Sequence, residues 1–335
     1  MTTHRERIQA ALRGEIIDRP PVALWRHFPV DDESAESLAT AQLGFQELYD
    51  FDLVKVTPAS SFSVRDWGVE DEWRGNAEGT RTYTKRFIRE PRDWERLTIL
   101  EPTAPNLARQ LECLGLIRAR LGQHTPVLQT VFNPLAQAKH LAGEPTLMQH
   151  LRTHPVAVER GLRTIAESTR LFIQAATRQG IDGIFYAVQH AQGRLLSRED
   201  FVRFSREADI MLLRSASDMW CNVLHLHGED VYFDAVVDYP AQVINWHDRE
   251  AGPALGEAGG RWPRGLCGGL SRNTLVTGTA KDVAREAAEA FAAPDRARLI
   301  LSTGCVVPIV APHGNILAAR RAFDAPTCTA SGQRR

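Results

Sequence analysis

One feature restricts this chain more than any other. Short apolar runs end in polar residues and give way to stretches with helical spacing, over and over. Such runs end near residues 25, 57, 131, 187, 226, 246, 268 and 303, about eight in all. Runs such as Ile184-Phe185-Tyr186-Ala187 and Val223-Leu224 with Leu226 show no in–out alternation, as strands covered on both faces do not. Strands separated by helices imply crossover connections and a parallel sheet, and eight is the number that closes a (β/α)8 TIM barrel. With 335 residues, 43% of them hydrophobic, the chain can bury a core of that size as one domain. The expectation is an α/β barrel over residues 1–328, an irregular N-terminal insertion at 59–90 with a hairpin near 80–87, and a disordered polar tail at 329–335. A doubly wound open sheet is the runner-up. It would want a glycine-rich phosphate turn after the first strand, and the sequence has none.

Helices are expected near 3–13, closed by Gly14, and near 35–48 and 104–121. Helical spacing continues over 144–179, interrupted at Thr153-His154-Pro155, and returns at 280–292 and 314–323. Ser197 followed by Glu199 and Asp200 marks the start of a further helix, to about 216.

The strand exits carry the chemistry. The run 220–226 ends in His225 and His227, and i and i+2 in a strand point to the same side. The run 300–303 leads to Gly304-Cys305. Two imidazoles and a thiolate make a three-ligand zinc site with one position open, the form of catalytic rather than structural zinc. Against this, one histidine of the pair would be a core residue and the other solvated, and Cys305 a small buried apolar residue. His247, Asp248 and Glu229 are candidates for a fourth ligand or a general acid, and His190 for a group that orients a ligand; otherwise each holds a loop by hydrogen bonds. Arg26 is placed to pair with an anionic substrate group, or to form a structural ion pair. Lys55, Asn133, Tyr186 and Gln189 are candidate substrate contacts.

A net charge of −1 gives no overall attraction to nucleic acid or an anionic membrane surface. The five cysteines, Cys113, Cys221, Cys267, Cys305 and Cys328, are odd in number and form no CxxC pair, which suits a reducing cytoplasm. No apolar h-region opens the sequence and no run reaches membrane-spanning length. A soluble cytoplasmic protein acting on a small molecule is expected.

Three segments resemble one family in the right order. They are Asp18-Arg19-Pro20-Pro21-Val22-Ala23-Leu24-Trp25-Arg26, then Gln189-His190-Ala191-Gln192-Gly193, then Gly304-Cys305 with Pro308, Pro312, His313 and Asn315-Ile316. They are similar to the uroporphyrinogen decarboxylase superfamily, whose members are single-domain barrels. The resemblance implies one of two chemistries: cofactor-free decarboxylation of a tetrapyrrole's acetate arms, or zinc-dependent alkyl transfer as in the corrinoid:coenzyme M methyltransferases. For the decarboxylase, Arg26 matches the first loop arginine, but the second falls near Val30 and the loop aspartate near Thr57. Its histidine corresponds to Cys305 and its serine to Gln189. For the transferases, His225 matches the first ligand, His227 stands where they have a cysteine, and Cys305 matches the distant cysteine.

The resemblance therefore implies zinc-dependent methyl transfer to or from a small, anionic substrate, with a thiol-type acceptor activated by the metal. Cofactor-free decarboxylation of uroporphyrinogen III is the alternative, with Arg26 and His190 or His225 in the working roles. A non-catalytic corrinoid or tetrapyrrole binder is the second. The Asp-x-His-x-x-Gly corrinoid signature is absent, so any corrinoid would come on a partner protein. A homodimer is an open expectation.

Overall fold

The computed structural model describes residues 2–324; the expected tail at 329–335 and Cys328 lie outside them. Nine strands are present among these residues: β1 (Val54–Val56), β2 (Glu70–Glu72), β3 (Thr82–Lys85), β4 (Val127–Phe132), β5 (Gly183–Val188), β6 (Val223–Leu226), β7 (Val243–Trp246), β8 (Gly265–Leu270) and β9 (Leu299–Thr303). Seven form one parallel sheet in the order β1-β4-β5-β6-β7-β8-β9. Every residue of these seven strands is buried, because helices cover one face and the opposite face turns inward on itself. The eighth expected strand, ending near 25, is reduced to a bridge. The amide of Ala23 donates to Leu301 O and that of Leu301 to Pro21 O, while Asp52 N donates to Val22 O. Residues 21–23 thus hydrogen-bond to both β9 and the approach to β1. Two prolines leave this segment too few N–H donors for a longer ladder.

The expected helices are present as His4–Arg13, Ala35–Tyr49, Pro105–Leu121, Glu144–Thr153, Pro155–Arg178, Ala280–Phe291 and His313–Arg320. Thr3 and Glu6 cap the first reciprocally and Gly14 ends it in the left-handed conformation. Ser197 caps Arg198–Phe201, which continues through a π-helical turn (Val202–Arg206) into Glu207–Ser215. Three helices fall outside the expected spans: Pro134–Ala142, Leu255–Arg261 and Arg272–Thr277. Pro134–Ala142 begins directly after β4, with Asn133 as its cap and Pro134 in its first turn. The expected hairpin is wider than 80–87, since β3 pairs antiparallel with β2.

Two buried carboxylates tie the sheet's N-terminal end to the chain around it. Asp52 accepts from Arg7, Arg19 and Val22 N, and Asp182 from Arg5, Arg118, Trp220 and Val127 N. The opposite, C-terminal end of the sheet is left to the site.

Candidate metal centre and substrate cavity

Four side chains converge where β6, β7 and β9 end. His225 is the third residue of β6 and His227 follows that strand; His247 follows β7, and Cys305 lies two residues beyond β9. One ligand atom from each lies within 4.8 Å of all the others, with Cys305 Sγ 3.7 Å from His227 Nδ1. Tetrahedral coordination by nitrogen and sulfur sets donors about 3.4–3.8 Å apart, so small side-chain movements would let this group hold a metal ion. Gly304 makes the approach possible. A Cβ there would sit 2.6 Å from His247 Cα and 2.7 Å from Trp246 O, so any other residue would push Cys305 away from His247.

The histidines are prepared for such a role. Asn245, paired with His225 across β6 and β7, donates its amide to Cys267 O at 2.8 Å and Thr303 O at 3.0 Å. Its oxygen must then face His225, so Nδ1 of that ring donates at 2.7 Å and Nε2 is left bare toward Cys305. Burial also pulls His225 below its usual pKa, favouring the neutral ring. Nε2 of His247 is buried with no hydrogen-bond partner. Burial opposes ionisation of Cys305, but the three surrounding imidazoles outweigh it and hold the thiol well below its ordinary range.

The cluster borders a cavity of about 510 Å³, a size suited to a small ligand. Its walls include Trp25, Phe185, Phe132, Lys55 and Gln189, and the hairpin arm supplies Glu78, Thr80, Arg81, Tyr83 and Arg86 as a cover. Lys55 is buried with Nζ 4.7 Å from the Phe185 ring centroid, donating to Thr57 Oγ1 at 3.2 Å. Burial pushes its pKa down to about 7.

The other sequence candidates are placed as follows. Gln189 lines the cavity and accepts from Lys139. Asn133 and Tyr186 do not; both hydrogen-bond to Asp209 beneath the helices. Alternation explains Tyr186, since Phe185 and Ala187 face the cavity and residue 186 faces away. Arg26 is also outside the lining, its guanidinium packed on Phe28 and Phe45. His190 sits in an adjoining recess, within reach of Glu144 at 3.3 Å, and orients none of the four donors. Asp248 turns from the cluster and accepts from Gly269 N; burial pushes its carboxyl up to about 7. Glu229 is engaged with Arg194. Cys221 and Cys267 pack in the core.

Sequence reasoning missed Asn245, Lys139, His140, His27 and the hairpin residues. An asparagine in the middle of an otherwise apolar strand was a signal for the first. Lys139 and His140 on a helix that is buried almost throughout were another.

A curled parallel α/β sheet with a His3Cys donor group at its C-terminal edge defines the class. The sequence model of the uroporphyrinogen decarboxylase (URO-D) family matches residues 3–325, and the chain belongs to this family. Among solved structures, a methyltransferase from Methanosarcina mazei is similar at a TM-score of 0.84 and 20% identity, over 96% of this chain and 98% of that one. A B12-independent methionine synthase from a Shewanella species, in complex with selenomethionine, is similar at a TM-score of 0.57 and 14% identity, over 90% and 93%. At these identities the likeness shows the fold. Comparison with curated proteins finds no match. Among the described residues no helix is long and apolar enough to cross a membrane.

Proposed function

We propose that this chain is a zinc-dependent alkyl transferase, moving a methyl group to or from a small anionic substrate with a thiol acceptor. The convergence of His225, His227, His247 and Cys305 carries the reading. Imidazole and thiolate donors together suit zinc. Bound there, zinc would supply the Lewis acidity that makes a thiol a thiolate at neutral pH. The chain's own residues do the rest. Asn245 fixes the His225 ring, Trp25, Phe185 and Phe132 keep the reacting centre dry, and Lys55, its pKa lowered to about 7, places a partly charged amine nearby. Similarity to a fold whose solved members include a methyltransferase and a methionine synthase agrees with this reading. We also read residues 21–23 as the eighth stave of a (β/α)8 barrel, on the strength of their bonds to β9 and to Asp52 just before β1.

Decarboxylation of a tetrapyrrole is less well supported. The matching arginine, Arg26, lies outside the cavity, and about 510 Å³ suits a drug-sized molecule rather than a macrocycle with carboxylate arms. Any corrinoid would arrive on a partner protein.

Elemental analysis of tag-free protein tests the proposal. About one zinc per chain, lost in Cys305→Ser, is expected. Absence of zinc after reconstitution, or turnover of uroporphyrinogen III to coproporphyrinogen, overturns it.

A further inference from the structure

The cavity holds more positive charge than its own carboxylates neutralise. Arg81 is paired with Asp32 and Glu33, and Glu78 with Arg272. Glu144 also lines the cavity and acts on Lys139 across space, but its carboxylate is bonded to His190, and among the described residues no carboxylate lies within ion-pair distance of Lys139 or Arg86. Lys139 comes from the helix that follows β4, with Nζ donating to the side chain of Gln189 at the β5 exit. Arg86 follows β3. It donates one Nη to the carbonyls of Lys139 and His140 at 3.0 and 2.6 Å, with its guanidinium 4.0 Å from the Tyr83 ring centroid. Two half-buried cations are thus held near each other with donor capacity unspent. His140 adds a second observation: it is 3% exposed, lines the same cavity, and its Nδ1 has no partner. Burial, with the charges of Lys139 and Arg86 behind it, holds that ring well below its usual pKa and neutral.

We propose that Lys139 and Arg86 form an anion-binding subsite, with Gln189 and His140 beside it, that takes a carboxylate, sulfonate or phosphate tail of the substrate. Like charges brought together and partly desolvated are costly unless an anion completes them. Arg86 is fixed by the helix carbonyls and so contributes a guanidinium already oriented, whereas Lys139 supplies a mobile point charge. Arg26, the anchor expected from sequence, is replaced in this role by two residues that face the cavity. The identity of the ligand as a thiol rests on the transferase reading; the subsite itself does not.

The test is calorimetric titration of the holoprotein with mercaptopropionate, mercaptobutyrate and mercaptohexanoate, their sulfonate and phosphonate counterparts, and the corresponding mercaptoalkanols. Lys139→Met, which breaks only the contact to Gln189, should weaken the anions at least about tenfold and leave the alcohols unchanged. Lys139→Arg should restore most of the loss, and the acid giving the largest drop names the tail. Equal weakening of acids and alcohols, or none in either, overturns the subsite. Thiol-free alkanoates and alkanesulfonates titrated into the same holoprotein separate the two readings. If they bind in a Lys139-dependent way while the thiols show no advantage, the subsite stands and the thiol acceptor falls. If they bind without regard to Lys139, the subsite falls whatever the thiols do.

Discussion

Asn245 performs two tasks, and two substitutions separate them. It orients His225 through one hydrogen bond of 2.7 Å and fastens β7 to the middle of β8 and the end of β9 through two more. Asn245→Ala removes all three. Each net hydrogen bond is worth about 1 kcal/mol and each buried group left unpaired costs about 1–3 kcal/mol, so a loss of about 3 kcal/mol in stability is expected. Freed from Asn245, His225 also loses its fixed tautomer and ring orientation. Loss of such an outer partner weakens metal binding by about 10–100-fold. Asn245→Asp keeps an acceptor for His225 but faces two carbonyl oxygens with a carboxylate oxygen, so it should lose comparable stability while metal affinity is kept. Competition with a chromophoric chelator gives the zinc affinity and thermal melts give the stability. Wild-type zinc affinity in a folded Asn245→Ala protein, or equal loss of affinity in both variants, would refute the reasoning.

Three further outcomes are expected. His247→Ala should lower zinc affinity by at least about tenfold if His247 donates alongside the other three; unchanged affinity in the same chelator competition would return the site to three ligands. Burial pushes Asp209 up to about 6 despite bonds from Tyr186, Ser205, Asn133 and Tyr239. Its protonated form therefore stabilises the fold fully below about pH 4, and that contribution, about 3 kcal/mol, is lost as pH rises through 6. The stability difference between wild type and Asp209→Asn, followed by denaturant melts, should shift in favour of the variant across pH 4–6; a flat difference would contradict this. Lys55 carries the opposite sign. With its pKa lowered to about 7 by burial, the charged amine burdens the fold below pH 7, and the burden lifts as pH rises from 7 toward 10.5. Lys55→Met should thus be more stable near pH 6, by up to about 5 kcal/mol, yet bind anionic ligands more weakly; a lower melting temperature for the variant would count against it.

The alternation of strands and helices is legible in the sequence, because hydrophobic period and caps are local. The spans around His4–Arg13, Ala35–Tyr49 and Ala280–Phe291 follow from spacing and from Thr3, Gly14, Ser34 and Thr279 at their ends. The sequence also singled out His225, His227 and Cys305, since each stands where an apolar run stops, and strand ends are where a parallel sheet exposes side chains. What tertiary structure alone decided is which polar residues meet. Asn133 and Asn245 are both asparagines toward the C-terminal end of an apolar run, yet one caps a helix and reaches Asp209 while the other orients His225. Tyr186 and Phe185 differ by one position and face opposite sides of a strand. Arg26 packs on phenylalanine rings, whereas Arg86, on an arm with little pattern of its own, reaches the cavity. Local sequence sets a residue's element and its parity. Whether it enters the site depends on which strands become neighbours and how closely their ends approach, and that was settled by long-range packing such as the contact of Gly304 with His247.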